Sequence, residues 1–276
     1  KSSVSRLSPS EDHFLKGING GQPLEVDPMG NPIKKLVSLK PVPGANVYLT
    51  LDIELQRFTE KLFEGHKGGV VILDPHSGEV LTMLSKPNFN PNYFTDILTK
   101  KEWTQILSKE HPLHNRVLTG FPPGSIFKII TGMAALEDKN FNVKQHYFCQ
   151  GFLSLGGRKF NFWYKPGNGQ MNFVQGFLNS CNVVFYNIGL KLGPAKIADA
   201  AAGFGLGLPT GIDLPFESSG FIPTEKWKKR KHNSAWYPGD SFNMAIGQGY
   251  ILTTPLQMAA AVAALANESN LLLKPF

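Results

Sequence analysis

The stretch GFPPGSIFKIITG, residues 120–132, decides how this chain is read. Pro122, Pro123 and Gly124 end a loop abruptly. Ser125 then opens a run in which Ile126, Ile129, Ile130, Met133 and Ala134 keep helical spacing. A helix is therefore predicted from Ser125 to about Glu137. Lys128 follows Ser125 by three residues, so the two side chains share a face one turn apart. The serine hydroxyl would sit at the positive end of the helix dipole, where developing negative charge is favoured. A lysine partly buried beside it is pushed toward its neutral form, which accepts a proton. Serine with neutral lysine is an activated nucleophile that needs no histidine. Because the same tetrad also arises by chance, a second element has to decide.

That element is GFLNSCNVVFYNIG, residues 176–189, which holds Ser180, Cys181 and Asn182. Ser180 could relay a proton between Lys128 and a leaving group. Asn182 could hold Lys128 or a substrate amide through its own amide. Alone, the triplet reads rather as a polar helix start or a satisfied buried pair.

Outward from these motifs, the pattern is of an α+β chain. GVVILDPHSGEVLTML, residues 69–84, reads as a hairpin around the turn cluster Asp74–Gly78. A short strand is expected at Asn46–Leu51, then a helix capped by Asp52 and running to about Glu64. Residues Ser85–Pro123 read as irregular. Further helices are expected over Phe173–Leu192, Pro194–Ala202, and from Thr254 (cap) and Pro255 through Ala266. Strands first and helices later suit an α+β domain rather than a βαβ repeat. Residues 1–43 are rich in Gly, Pro and Lys, with strand-like pieces at Pro23–Val26 and Lys35–Leu39. They read as the end of an accessory region ahead of a domain spanning 44–276.

Composition narrows the classes. The chain has 276 residues, 42% hydrophobic and 18% charged, enough for a large domain with a sizeable core. Its longest apolar stretch, residues 259–266, is far short of the roughly 20 residues that cross a bilayer. Two cysteines, Cys149 and Cys181, make no disulfide framework and no metal spacing, so both are expected to pack. His111 and His114 read as surface loop residues, and no metal or cofactor is implied. The formal charge of +7 gathers in Lys226–His232, read as a solvated loop. No nucleic-acid motif accompanies it, so no nucleic-acid partner is expected.

Ser-x-x-Lys followed by Ser-x-Asn resembles the penicilloyl-serine transferases, the penicillin-binding proteins and serine β-lactamases. The stretches LDPHSGEVLTMLSKPNFNPNYF, HNRVLTGFPPGSIFKIITGMAALE, FCQGFLSLGGRKFNFW, SCNVVFYNIGLKLG and MAIGQGYILTTPLQMAAAVAALAN are similar, in this order, to class B penicillin-binding proteins. IGQGYILTTPLQMA resembles the elongation type, penicillin-binding protein 2, more than the division type. The resemblance implies an antiparallel sheet flanked by helices. Residues 1–43 would be the end of a non-catalytic pedestal and 44–276 a transpeptidase domain. It also implies DD-transpeptidation of peptidoglycan stem peptides through an acyl-enzyme on Ser125, with Lys128 as base. Ser180 would pass the proton to the departing amine, and Asn182 would orient Lys128 and the donor peptide. The backbone N–H of Ser125 would form half of the oxyanion hole. β-Lactam antibiotics would acylate the same serine. Expected partners are a membrane-embedded glycan polymerase and other elongation-complex proteins. The expected place is the extracytoplasmic face of the cytoplasmic membrane, with an anchor outside this chain.

Two features set limits on this. The family's third motif, Lys-Thr-Gly or a close variant, occurs nowhere in the 276 residues, so the chain is expected to lack the C-terminal part of the domain. Glu217, between the second and third motif regions, does not lie in the pattern of a β-lactamase water-activating glutamate, so a trapped acyl-enzyme is expected. A non-catalytic scaffold and a β-lactam sensor or β-lactamase stand as alternatives. Tyr93, Phe94, Phe162, Trp163 and the loop Trp236–Asp240 are candidate cleft walls.

Overall fold

A computed structural model describes residues 15–267 except Leu36 and Asp96. Residues 1–14 and 268–276, within the stretches expected as accessory region and following domain, lie outside this description. Strands β1 (Leu24–Val26) and β2 (Pro32–Lys35) form an exposed antiparallel hairpin, followed by helix α1 (Ile53–Leu62). Next come β3 (Gly68–Leu73), β4 (Val80–Lys86), α2 (Lys100–Ile106) and α3 (Lys128–Glu137). A small β region follows, with β5 (Tyr147–Cys149), β6 (Phe152–Leu155), β7 (Arg158–Asn161) and β8 (Gly169–Met171). Helices α4 (Phe173–Leu178), α5 (Asn182–Gly203), α6 (Glu225–His232), α7 (Pro238–Ala245) and α8 (Pro255–Ala266) complete the order.

The β3–β4 hairpin forms where its turn cluster predicts it. The Asp74 carboxylate accepts the N–H groups of His76 and Ser77, which folds the turn on local bonds alone. Val70 stands opposite Leu84 and Val71 opposite Met83, with a register irregularity at Ile72 and Leu73. α1 packs against β4 and α8 against β3. Asp52 caps α1 by accepting from Glu54 and Leu55. Gln56 on α1 then bonds both the N–H and the C=O of Met83, which occupies backbone groups of β4 that β3 does not take.

The larger core lies between α3, α5 and α7. Phe127, Ile130, Val183, Val184, Phe185, Ile188, Phe242 and Ala245 are buried together in it. α5 approaches α7 so closely at Gly189 that a Cβ there would lie 2.5 Å from the Ala245 Cβ. That spacing holds the two helices at a distance only a side-chain-free residue permits. A smaller cluster of Val117, Leu118 and Leu256 ties the hairpin to α8.

Several local expectations differ from the structure. Residues 46–51 form no strand. They are tied to the hairpin through Thr50 Oγ1 to the Val80 carbonyl and Asp52 N–H to the Leu81 carbonyl, contacts too sparse for a ladder. β2 lies a few residues earlier than expected, with Leu39 reaching Gly21 only as an isolated bridge. The Ser85–Pro123 segment is not wholly irregular, because Thr99 and Glu102 form a capping box that starts α2. One helix over Phe173–Leu192 is in fact two, broken at Asn179–Cys181. The α5 stretch is bent again at Gly193, before Pro194. The basic run Lys226–His232 is not a loop but most of α6. It is capped by Thr224, and its Lys228 is buried against Asp240.

Candidate active site

The loop leading into the serine-bearing turn is pinned by backbone bonds at Phe121 and Gly124. Gly124 N–H donates to the Gly247 carbonyl at 2.9 Å, and Phe121 and Thr253 exchange both backbone hydrogen bonds at 2.9 Å. Ser125 does not open an α-helix directly. It lies in one 3-10 turn, Gly124–Phe127, that feeds into α3 at Lys128. As the second residue of that turn, its N–H has no acceptor within the helix start. Phe127 and Ile130 are fully buried and anchor the run. The pattern leaves Ser125 exposed and sends Lys128, 3% exposed, inward.

The second motif arrives from the break between α4 and α5. Ser180 adopts a left-handed conformation, φ 49°, just past the end of α4. Ser180 N–H donates to the Phe177 carbonyl, and Cys181 N–H to the Gly176 carbonyl at 2.8 Å. A left-handed non-glycine residue costs about 1 kcal/mol. Here it turns the Ser180 carbonyl and hydroxyl toward α3.

Lys128 Nζ donates to the Ser180 carbonyl at 2.6 Å, to Asn182 Oδ1 at 2.7 Å and to Ser180 Oγ at 3.0 Å. None of the three bonds goes to Ser125. The Asn182 amide is oriented by its other end, which donates a long 3.4 Å bond to the Asn161 carbonyl. Tyr186 Oη donates to the same carbonyl, and the Phe185 ring lies 5.4 Å from Nζ. Burial pushes the Lys128 amine down to about 8. Burial pushes the Cys181 thiol up to about 12, so it carries no charge at neutral pH.

The acceptors define what the lysine can do. A carbonyl and an amide oxygen only accept, so they hold two N–H groups in either charge state. Ser180 Oγ alone can also donate. A neutral Lys128 therefore has one lone pair, which can face either the Ser180 or the Ser125 hydroxyl. Of the four residues picked out by sequence, three are joined by hydrogen bonds. The fourth stands one turn before Lys128, exposed at the surface. Sequence reasoning missed Gly247 and Asn161. Both act through backbone atoms: any residue could supply the Asn161 carbonyl, whereas Gly247 needs a positive φ but gives no sign in sequence of its distant partner Gly124.

The other candidates separate. Phe162 is buried core, whereas Trp163 is exposed. Tyr93 bonds Gln105 and Phe94 packs edge-on against Phe89, away from the motifs in sequence. Trp236 and Asp240 line a cavity with Gln248 and Tyr250. A Cβ on Gly124 would lie 3.7 Å from the Gln248 amide nitrogen, so this cavity adjoins the serine turn. Glu217 has its carboxylate occupied. One oxygen accepts from Thr210 N–H and Oγ1, the other from Gly211 N–H.

The family described as the penicillin binding protein transpeptidase domain matches residues 68–273. The Peptidoglycan D,D-transpeptidase MrdA of Salmonella typhimurium is 37% identical over 265 residues, which are 95% of this chain and 42% of that protein. Its namesake in Escherichia coli K12 is 35% identical over 261 residues, 93% of this chain and 41% of that protein. Penicillin-binding protein 2 of Helicobacter pylori, solved in complex with MreC, superposes with a TM-score of 0.82 at 32% identity. That match covers 95% of this chain and 50% of the other. The chain thus spans about two-fifths of the length of the curated relatives it matches.

Proposed function

Because this chain belongs to the penicillin-binding protein transpeptidase family, we propose that it carries the acyl-transfer centre of a peptidoglycan D,D-transpeptidase of the elongation type. One observation supports the reading most strongly: a buried lysine, its amine pushed down to about 8, is held by Ser180 and Asn182 one turn behind an exposed serine. In this reading Ser125 Oγ attacks the carbonyl between two terminal D-alanines of a stem peptide, and neutral Lys128 takes its proton. The Ser125 N–H steadies the oxyanion. Ser180 switches from acceptor to donor and passes the proton to the departing D-alanine amine. A second stem peptide then brings the amine that takes the acyl group, which forms the crosslink and frees Ser125. Asn182 keeps Lys128 in place throughout.

A β-lactam offers the same carbonyl and would be trapped on Ser125. Three hydrogen bonds from Thr210 and Gly211 hold the Glu217 carboxylate to its own loop, which favours this over hydrolytic turnover. Residues 1–43 are assigned as the end of a non-catalytic pedestal and 44–276 as transpeptidase domain. The H. pylori relative's complex with MreC, and a solved peptidoglycan synthase complex that coordinates polymerization with crosslinking, support a protein partner in peptidoglycan synthesis; in this reading that partner is a membrane-embedded glycan polymerase and the site is extracytoplasmic. Among the described residues no helix is long and apolar enough to cross a membrane.

The test is intact-mass spectrometry after incubation with a penicillin, followed by peptide mapping. A single stable adduct on the Ser125 peptide is the expected result. Absence of any adduct on folded protein would end the acyl-transfer reading in favour of a scaffold. The pH dependence gives a second test. Burial lowers the Lys128 pKa, so the neutral base gains about tenfold per pH unit until about 8 and then saturates. The second-order acylation rate should rise from pH 6 and level off above about 8. A rate unchanged over that range would remove Lys128 as the base.

A further inference from the structure

Cys149 and Cys181 take no part in the chemistry above, yet they meet beside it. Cys149 ends β5, and Cys181 lies between the two residues that hold Lys128. Both are buried, at 1% and 0% exposure, in the cluster that holds Phe162, Met171 and Phe185. Their sulfurs are 2.8 Å apart. Sulfurs in a disulfide lie about 2.05 Å apart, so joining these two needs a shift of under about 1 Å. Among the described residues no group of three His, Cys, Asp or Glu could hold a metal, so the pair does not read as part of a thiolate metal site.

We propose that Cys149 and Cys181 are oxidised to a disulfide in the mature protein, fastening the Ser180–Asn182 turn to strand β5. The oxidant is a disulfide, either of a protein thiol oxidase or of a small molecule. One cysteine thiolate attacks it and releases one donor thiol. The second cysteine then displaces the other donor thiol from the mixed disulfide. Two S–H bonds are lost and one S–S bond forms. The donor's S–S bond is reduced to two thiols, which take up the two electrons and two protons. The exchange belongs to folding, before residues 150–180 close over the pair, because both sulfurs are inaccessible afterwards. It suits an oxidising compartment and so leans on the extracytoplasmic placement proposed above. Once formed, the bond leaves no ionisable thiol beside Lys128, and it fixes the residue between the two that supply the ammonium's acceptors.

The experiment counts thiols in protein exported to an oxidising extracytoplasmic space. The sample is denatured in an alkylating agent with and without prior reduction, then weighed intact and mapped without reduction. The expected result is no alkyl group before reduction, two after it, and a Cys149 peptide joined to a Cys181 peptide. Two alkyl groups without reduction, or either cysteine joined elsewhere, would overturn the proposal. Penicillin acylation of the same sample keeps the two readings apart. Acylation with two free thiols overturns only the disulfide, and a disulfide without acylation overturns only the role of Ser125.

Discussion

Methionine at position 128 is expected to slow penicillin acylation by about a thousandfold, the middle of the range that a positioned base contributes. Arginine there should lose as much. Charge state decides this outcome, rather than contact. Lys128 has three acceptors around it, and a guanidinium could satisfy several of them. It could not give up its proton, because arginine stays charged at any pH the protein survives. If Lys128→Arg keeps acylation within about tenfold of the parent, the lysine serves as a fixed charge and the base lies elsewhere. Stopped-flow acylation with a fluorescent penicillin reads the rate, and thermal unfolding shows that each variant is folded. The parent should show a matching pH effect on stability. Lys128 titrates near 8 in the folded chain and near its ordinary 10.5 when unfolded. Between these values the unfolded chain binds the extra proton, so stability contributed at this site rises with pH. Both variants should lack that rise.

Alanine at position 247 is expected to cost about 3 kcal/mol or more and to remove most acylation. Gly247 has a φ of 68°, which L side chains rarely adopt. A Cβ there would fall 2.3 Å from the Gly124 carbonyl oxygen and 2.6 Å from the Phe127 Cβ. The obstacle is largely backbone, so no rotamer change relieves it. Gly124 immediately precedes Ser125, and the Gly124 to Gly247 hydrogen bond holds that turn. A displacement of about 1 Å at a nucleophile costs on the order of a hundredfold in rate. Gly65→Ala is the control, since Gly65 has φ 76° and no atom lies within 4 Å of the place its Cβ would take. It should show only the backbone strain, about 1–2 kcal/mol, and acylate normally. Equal losses in the two variants would mean that the contact with the serine turn carries no weight.

What could be read from sequence follows from the range of the forces involved. Caps and turns announce themselves because they close over three or four residues. Asp52, the Asp74 turn and the Thr254–Pro255 start all stand where expected. The Thr99–Glu102 box carries the same kind of signal, obscured by the polar stretch around it. The charges of Lys226–His232 hid a helix, because two residues of the run, Trp227 and Lys228, find partners in Tyr250 and Asp240 that are distant in sequence. The break at Ser180 is a departure from helical pattern that composition does not show. The site splits along the same line. The side chains proposed to carry the chemistry were picked out by type and spacing, and the structure joins Lys128, Ser180 and Asn182 by hydrogen bonds. Their supports were not picked out, since Gly247 and the Asn161 carbonyl act over separations of 123 and 21 residues from Gly124 and Asn182.

The bonds around Glu217 bear on how such a protein could change under antibiotic selection. A target that learned to destroy its inhibitor would need a carboxylate free to polarise water near the acyl bond. Here the glutamate in that part of the chain closes its own loop, through Thr210 and Gly211. Any substitution that released it would open the loop that presents it, so the intermediate form would lose order before it gained hydrolysis. On the proposed function, substitutions that free Glu217 are therefore expected to loosen the Thr210–Gly211 loop rather than to hasten release of the drug.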